Sequence, residues 1–429
     1  MERVAIVGTG VAGLGCAWNL RHHAALTLLE QDARPGGHSN TVTVDENKRP
    51  LRIDTGFIVF NKVNYPNLCR LFAELDVPIK PSEMSFSVQH LPTGLEYNGM
   101  GLNKVFAQRR NLFRPRFHRL LADIQRFFRL AKKALTDGDG DPHITIGEFV
   151  ARHELGKDFL AFYLQPMSSA VWSTEPRDIL DFPASTLLRF FHNHGFLGVD
   201  THHPWFTVEG GAKTYVDRIL AGLAAAQPGA EIPRLKAQIT RVTEQNRSVE
   251  VTLADGQSHR FDRVVLAAHA DQSLAMLAAP DADQHRLLSS FRYQENHATL
   301  HTDASVMPKA RRAWASWNHR IGGTEGHPQA TTHYWMNALQ GVSPSQNYFV
   351  SLNSQGQIPA DQILYETVYH HPVFNLEAVQ AQGELSQLNG RDREQRIFFC
   401  GSYFKYGFHE DAYSSGLDLA EHLKQILKF

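Results

Sequence analysis

Residues 4–13 of the chain read Val-Ala-Ile-Val-Gly-Thr-Gly-Val-Ala-Gly, an apolar run that leads directly into a GxGxxG pattern. Its β-branched residues are typical of a buried parallel strand. The sequence then predicts a helix from about Val11 to Arg21 and a second strand over Leu26–Leu29. That strand ends on Glu30, whose carboxylate can accept hydrogen bonds from the ribose hydroxyls of a nucleotide. This order and spacing predict a Rossmann-type unit that binds a dinucleotide.

Each glycine of the pattern has a separate physical task. Gly8 permits the tight turn from strand to helix, and Gly10 lets the backbone approach a pyrophosphate. Gly13 allows the helix to pack closely on the strand. Val11 and Ala12 open the helix, whose unpaired N–H groups and positive dipole end favour the phosphates.

A second glycine pair decides which dinucleotide is expected. Residues 34–38 read Arg-Pro-Gly-Gly-His, and an acid followed by Arg-x-Gly-Gly resembles the signature of the flavin-containing amine oxidase superfamily. That superfamily includes monoamine and polyamine oxidases, protoporphyrinogen oxidase and phytoene desaturases. The resemblance implies FAD, because simple NAD dehydrogenases lack the second glycine pair. It also implies that Gly36, Gly37 and His38 contact the diphosphate and ribityl chain.

Further segments carry the same resemblance along the chain. Residues 54–57 match a short Asp-x-Gly segment near the flavin, which implies contacts from Thr55, Gly56 and Phe57. Residues 208–213 resemble the Gly-Gly segment that opens a helix on return to the FAD domain. A β-pair is predicted over residues 239–242 and 249–253, and the backbone of Ile239 is implied to contact the adenine side.

The C-terminal segment resembles the closing motif of the superfamily. A strand over residues 397–401 is followed by a final helix predicted from Asp411 to Leu427. In the superfamily this helix points its N-terminus at the flavin pyrimidine, where its dipole stabilises the negative charge of reduced flavin. The chain departs from the pattern at Ser402, where an acid is usual, although a hydroxyl can still bond the ribityl chain. The cofactor contacts implied here are Gly401, Ser402, Asp411, Ala412 and Tyr413.

The resemblance implies an α/β fold with a discontinuous Rossmann-type FAD-binding domain and an inserted α+β substrate domain. This is the two-domain architecture of the amine oxidases and of p-hydroxybenzoate hydroxylase. The FAD domain is expected over residues 1–80, 205–279 and 385–429, and the substrate domain over 81–204 and 280–384, with a helical part at about 104–200. Because the chain has a single GxGxxG, a second, NADPH-binding domain is not expected. Oxygen, a quinone or another carrier would then reoxidise the flavin.

Composition limits the other classes of function. The 429 residues include 42% hydrophobic and 20% charged residues with a net charge of −1, which is ordinary for a globular enzyme and gives no sign of nucleic-acid binding. Three scattered cysteines indicate a reducing compartment and exclude a cysteine metal site. No signal peptide and no apolar run of the roughly 20 residues that span a bilayer is recognised, so a cytoplasmic protein is expected.

The segment 104–135 is strongly basic. Ten lysines and arginines face a single acid, Asp123, and from Phe117 onward the apolar residues recur at spacings of three and four. This pattern predicts an amphipathic helix with a basic face. Two interpretations stay open: peripheral attachment to the anionic inner face of a membrane, or a core-packing helix whose basic face is solvated.

Longer stretches resemble a narrower, bacterial branch of the superfamily. They include residues 56–61 and 65–68, and the most distinctive is Tyr-Gly-Phe-His-Glu-Asp at 406–411. The branch comprises FAD proteins encoded beside cyclopropane-fatty-acid-synthase-like methyltransferases, some implicated in desaturating methyl-branched fatty acyl chains. The resemblance implies dehydrogenation of a lipid or modified fatty acyl chain. The alternatives are an amine oxidase, a redox-neutral double-bond isomerase, and a non-catalytic flavin-binding partner of a lipid methyltransferase.

Few residues qualify for catalysis. His409 precedes the predicted last helix and could lie near the flavin, or it could only cap that helix. Tyr334 could line the substrate pocket or belong to an aromatic core, and Tyr403 or Tyr406 could flank the flavin. The many histidines show no recognisable metal-ligand spacing, so no metal is expected. Cys400 lies in a strand rather than in the motif that carries a covalent flavin in monoamine oxidase, so non-covalent FAD is expected.

Overall fold

The computed structural model describes residues 1–136, 144–172, 176, 178–198, 203–324, 327–390 and 394–427. The strands within these residues are β1 (Arg3–Val7), β2 (Ala25–Leu29), β3 (Thr41–Glu46), β4 (Arg49–Asp54), β5 (Phe60–Asn61), β6 (Ile79–Ser82), β7 (Phe86–His90), β8 (Leu95–Asn98), β9 (Trp205–Val208), β10 (Ile239–Gln245), β11 (Ser248–Leu253), β12 (Ser258–Phe261), β13 (Arg263–Leu266), β14 (Arg292–His301), β15 (Trp317–Thr324), β16 (His327–Trp335), β17 (Phe349–Leu352), β18 (Ile363–Val373) and β19 (Ile397–Phe399). The α-helices are α1 (Val11–Leu20), α2 (Pro66–Glu74), α3 (Gly101–Val105), α4 (Pro115–Thr136), α5 (Ile146–Arg152), α6 (Lys157–Phe159), α7 (Gln165–Trp172), α8 (Ala184–Asn193), α9 (Lys213–Ala226), α10 (Ala270–Met276), α11 (Ala282–Ser289), α12 (Met336–Leu339), α13 (Leu376–Gln382) and α14 (His409–Ile426).

The apolar run at the start of the chain is the inner strand of a parallel sheet. This sheet has the strand order β19-β13-β1-β2, and all its pairings are parallel. Val4 and Ile6 pack on one side with α1, α9 and α14, whereas Ala5 and Val7 pack on the other with the antiparallel sheet β10-β11-β12. Burial of both faces explains why the run does not alternate with polar residues. The predicted helix α1, strand β2 and pair β10–β11 are confirmed within one to three residues.

Two glycines allow α1 to pack closely against β1 on one side and against α14 on the other. A Cβ at Gly13 would lie 2.0 Å from the carbonyl oxygen of Gly8, at the end of β1. A Cβ at Gly416 would lie 2.2 Å from the carbonyl oxygen of Ala12, so α14 packs directly against α1. The close contacts bring the N-termini of these two helices to the same edge of the parallel sheet.

A seven-stranded mixed sheet forms the second half of the molecule, with the order β18-β14-β17-β16-β15-β7-β8. Only the β15–β7 pairing in it is parallel. Its strands come from residues 86–98 and 292–373, within the two predicted insertions. Helices α4 to α8 pack beside it in a core that contains Tyr97, Phe117, Phe127 and Phe159. The predicted combination of a parallel α/β unit with an α+β insertion is confirmed.

The last helix begins at His409, two residues before the predicted start at Asp411. The Asp411 carboxylate accepts the backbone N–H of Phe408 at 2.9 Å, so this acid closes the first turn instead of preceding it. Among the helices of the described residues, none has the length and apolar character needed to cross a bilayer.

Candidate active site

One cavity of about 1030 Å³ lies where the predicted cofactor motifs meet. Gly8, Glu30, Ala267 and Gly401 line it, and they follow β1, β2, β13 and β19 respectively. These are the carboxyl ends of the four parallel strands, which is the usual ligand site of such sheets. The cavity then continues past the seven-stranded sheet to α3 and α4.

Most of the predicted site residues line this cavity. They are Gly8, Gly10, Val11, Ala12, Glu30, Gly37, His38, Thr55, Gly56, Phe57, Ile239, Gly401, Ser402 and Ala412, together with the catalytic candidates His409 and Tyr334.

Four predicted cofactor contacts are absent from the cavity lining, each for a physical reason. Gly13 packs against Gly8, and Gly36 donates its N–H to the Thr9 carbonyl at 3.0 Å. The Asp411 carboxylate is occupied by the first turn of α14. The Tyr413 ring packs on α1, where it leaves no room for a Cβ at Gly15. These four residues hold the loops and helices around the cavity in place.

Glu30 is held rigidly at the end of β2. Its Oε2 accepts the N–H of Thr9 at 2.9 Å and also the Thr9 hydroxyl, and its Oε1 accepts the N–H of Asp32 at 3.0 Å. A carboxylate offers about four acceptor sites. One site therefore stays available for a ribose hydroxyl of a bound nucleotide.

Arg34 is a site residue that our sequence analysis did not include among the cofactor contacts. Its side chain lines the cavity, and its Nη1 atom is buried with no hydrogen-bond partner among the described residues. A buried guanidinium nitrogen without an acceptor is costly, and a phosphate is a favourable partner for it. The signal for this role was its place in the Arg-x-Gly-Gly pattern.

His409 is the first residue of α14 and lies inside the site. Its ring stacks on Phe57 with centroids 3.8 Å apart, and its Nε2 lies 2.7 Å from the Tyr215 hydroxyl. Tyr215 also hydrogen-bonds Ser39. Burial lowers the pKa of His409 to about 3, so the imidazole is neutral. If Tyr215 donates to Nε2, the proton of His409 sits on Nδ1. The histidine both lines the cavity and is fixed by the protein.

Three further histidines meet His38 in the cavity. The His38 ring lies 5.3 Å from His371 and 6.3 Å from His269, and His269 lies 6.1 Å from His370. All four line the cavity, although they come from distant parts of the chain. Burial, with a smaller effect of the neighbouring histidines, lowers the pKa of His38 and His371 to about 3 and that of His269 to about 4. These three imidazoles are therefore uncharged at neutral pH.

The aromatic candidates divide between the cavity and the core. Tyr334 lines the cavity and meets the Trp317 ring edge-on at 5.0 Å. Tyr403 and Tyr406 line it as well. Trp335 lies outside the lining and packs on Trp314 at 5.3 Å.

Asp54 lies directly behind the cavity and gives a testable dependence on pH. Burial raises its pKa to about 7, opposed by hydrogen bonds from Thr41, Ala212 and Gln340. Between the ordinary pKa of 3.8 and about 7 the folded protein binds more protons than the unfolded chain, so this group's contribution to stability falls as pH rises. We expect Asp54→Asn to gain stability relative to wild type between about pH 5 and about pH 8, by at most about 3 kcal/mol, because this range covers about two pH units below the raised pKa.

Chemical denaturation of both proteins at the two pH values measures this difference. Asp255→Asn is the matched control, because Asp255 is exposed. Parallel pH curves for wild type and Asp54→Asn would show that Asp54 is charged at both pH values.

Comparison with known proteins identifies the family of the chain. Its sequence matches the family described as flavin containing amine oxidoreductase over residues 11–348. The chain belongs to this family. No curated protein shows significant sequence similarity to this chain.

Solved structures with the same fold include proteins of different activity. One is a CLA-producing fatty acid isomerase from P. acnes, with 17% identity, 98% of both chains covered and a TM-score of 0.68. Another is cyclohexylamine oxidase from Brevibacterium oxydans IH-35A, with 14% identity, full coverage of both chains and a TM-score of 0.70. A putrescine oxidase bound to putrescine has 13% identity, 98% coverage of both chains and a TM-score of 0.69. Identities this low establish the shared fold alone.

The cofactor of this family member is FAD, and the residues present fit it. The unpartnered Arg34 Nη1 and the glycine backbone at Gly10 and Gly37 suit a diphosphate, and Glu30 suits a ribose. Cys400 is fully buried and absent from the cavity lining, which leaves no thiol there for a covalent link.

Proposed function

We propose that this flavin-dependent oxidoreductase dehydrogenates the acyl chain of a lipid, the bound FAD supplying the hydride acceptor. The observation that carries the proposal is the distribution of charge in the cavity. Among the described residues that line it, the only carboxylates are Glu30 and Asp32, and both lie at the end of β2 with the dinucleotide motifs. The rest of the lining therefore offers no carboxylate to pair with an ammonium group, which disfavours a charged polyamine as the substrate.

The wall beyond the cofactor motifs is apolar. The apolar side chains that form it come from α4, from α7 and from α8 next to Phe408. They are Leu121, Ile124 and Phe128, then Met167, Val171 and Trp172, and then Phe190. A long apolar space with few polar groups suits a hydrocarbon chain. This wall supports an acyl substrate over a small polar one.

The chain's own polar groups have two tasks in such a reaction. His38, His269 and His371 line the cavity as uncharged imidazoles and can relay to solvent the proton that leaves the substrate as the double bond forms. The stacked rings of Phe190 and Phe408, 4.9 Å apart, line the apolar wall and exclude water from the reacting atoms.

A redox-neutral isomerase is the second candidate, because one of the solved structures with the same fold is a fatty acid isomerase. In that case the hydride would return to the substrate, and no electrons would leave the enzyme. Steady-state consumption of oxygen or of a dye acceptor separates the two, since only the dehydrogenase consumes one acceptor for each double bond formed.

Anaerobic flavin absorbance tests the proposal directly. The purified holoprotein is mixed in turn with detergent-dispersed methyl-branched phospholipid, straight-chain phospholipid and a panel of amines. We expect bleaching by lipid and none by amines, because the cavity has apolar walls and no carboxylate near the reacting end. Bleaching by amines alone would overturn the proposal. No bleaching by either would favour a redox-neutral isomerase or a flavin-binding partner of a lipid enzyme.

A further inference from the structure

The far end of the cavity reaches the protein surface between α3 and α4. Gly101 and Leu102 of α3 and Gln125 of α4 all line the cavity, and all three are exposed. Leu121, Gln125 and Phe128 follow at spacings of four and three, so one side of α4 faces the cavity along two turns. We call this opening the α3–α4 mouth.

Large apolar side chains project into solvent beside the α3–α4 mouth. Leu102 is 76% exposed and Phe113 is 86% exposed, and Met100 and Leu112 are also exposed. Single exposed apolar residues are common on protein surfaces, but four within fourteen residues indicate an interaction site.

Unpaired cations follow these apolar side chains along α4. Arg119, Arg126, Arg129, Lys132 and Lys133 are exposed on α4, and none has a carboxylate within 4.0 Å among the described residues. Arg129 and Lys132 lie within about 40° of Gln125 around the helix axis, next to the mouth. Arg116 differs, because Asp158 accepts two hydrogen bonds from it at 2.6 Å.

We infer that this surface, formed by Met100, Leu102, Leu112, Phe113 and the basic face of α4, docks on an anionic phospholipid bilayer. Exposed apolar tips and unpaired cations together provide the two attractions that reversible membrane binding requires. The α3–α4 mouth then opens against the bilayer, and an acyl chain passes from it into an apolar cavity without crossing water. This access route rests on the proposed function, whereas the docking itself does not.

Vesicle flotation of the FAD-loaded protein tests the docking without any turnover. We expect binding to phosphatidylcholine vesicles with about 30% phosphatidylserine, weak binding to pure phosphatidylcholine, and release at high salt. Leu102→Ser combined with Phe113→Ser should lower the partition coefficient by at least about tenfold. Val63→Ser with Leu364→Ser is the matched control, since these exposed apolar residues lie elsewhere, and it should bind like wild type.

A charge variant tests the second attraction. Arg129→Gln with Lys132→Gln should weaken binding to anionic vesicles by at least about tenfold, because each base contributes roughly fivefold there. Arg241→Gln with Arg247→Gln removes two exposed cations on the other domain and should have no such effect.

The outcomes separate the docking from the proposed function. Failure of wild type to bind anionic vesicles, or equal binding by the Leu102/Phe113 variant, would overturn the docking. Self-association of a wild-type protein that does not bind vesicles, if the Leu102/Phe113 substitutions abolish it, would also overturn the docking, in favour of a protein-binding face. Vesicle binding without bleaching of the flavin by dispersed lipid would leave the docking in place and refute the proposed function alone.

Discussion

Gly10→Ala is expected to fold like wild type and to bind FAD at least about tenfold more weakly. The backbone of Gly10 has φ −62° and ψ 173°, which alanine adopts without strain. An added Cβ would have no protein atom within 4 Å, because it would project into the cavity that Gly10 lines. A methyl group there occupies the space through which the diphosphate approaches the backbone. Fluorescence titration of the apoprotein with FAD measures the loss, and thermal unfolding of the apoprotein checks the fold.

Gly13→Ala, three residues later and inside α1, is the matched comparison. Whereas Gly10→Ala should lower the affinity for FAD, Gly13→Ala should lower the stability of the fold. Its Cβ would lie 2.0 Å from the Gly8 carbonyl oxygen, so α1 must move away from β1. We expect a loss of roughly 2–4 kcal/mol in the free energy of unfolding, measured on the apoprotein by denaturant titration. FAD binding by Gly10→Ala as tight as that of wild type would contradict the assignment of Gly10 to the diphosphate. Unchanged stability of Gly13→Ala would contradict the close packing of α1.

The dinucleotide end of the site was predictable because its determinants are local. The turn at Gly8, the helix start at Val11 and the acid at Glu30 lie within one βαβ unit, where each residue type has a single physical task. The N-terminal boundary of α14 was predicted less well, since the start of a helix depends on which side chain caps it. Asp411 closes the first turn by accepting the Phe408 N–H, a contact that the bare sequence does not distinguish from a cofactor contact.

The histidine cluster was not predictable in the same way. His38 follows the second glycine pair, His269 begins α10 as its N-cap, and His371 lies on β18 of the other sheet. Their proximity depends on how the two sheets meet, which no spacing along the chain encodes. Sequence analysis placed His38 at the cofactor but had no means to join it to the other histidines of the cluster, and it missed His269.

Helix α4 shows what an amphipathic pattern can and cannot predict. The pattern correctly predicted a helix with a buried apolar side, and Phe117, Leu120 and Phe127 pack in the core. Leu121 and Phe128 instead line the cavity. Periodicity indicates which side of a helix is shielded from bulk solvent, but not whether that side packs against protein or lines an open cavity.

Because part of α4 lines the cavity, a substitution on that side gives the second prediction with a large expected effect. Leu121→Trp is expected to lower kcat/KM for a long-chain lipid by at least about 100-fold, because the indole fills the cavity between the α3–α4 mouth and the flavin motifs. FAD content should not change, since Leu121 lies far along the cavity from the glycine motifs. A short-chain substrate that does not extend as far as α4 should keep most of its turnover. Stopped-flow flavin reduction with chains of increasing length measures both effects.

Leu130→Trp is the matched control on the same helix. Leu130 is half-buried like Leu121 but does not line the cavity, and nine residues of helix place it about 180° away around the axis. It should cost some stability and leave the rate of flavin reduction near that of wild type for every chain length. Equal loss of rate in both variants would show a general distortion of α4, and undiminished long-chain turnover in Leu121→Trp would show that the substrate does not pass along this helix. A loss confined to Leu121→Trp and growing with chain length is the result that only an acyl path beside α4 produces.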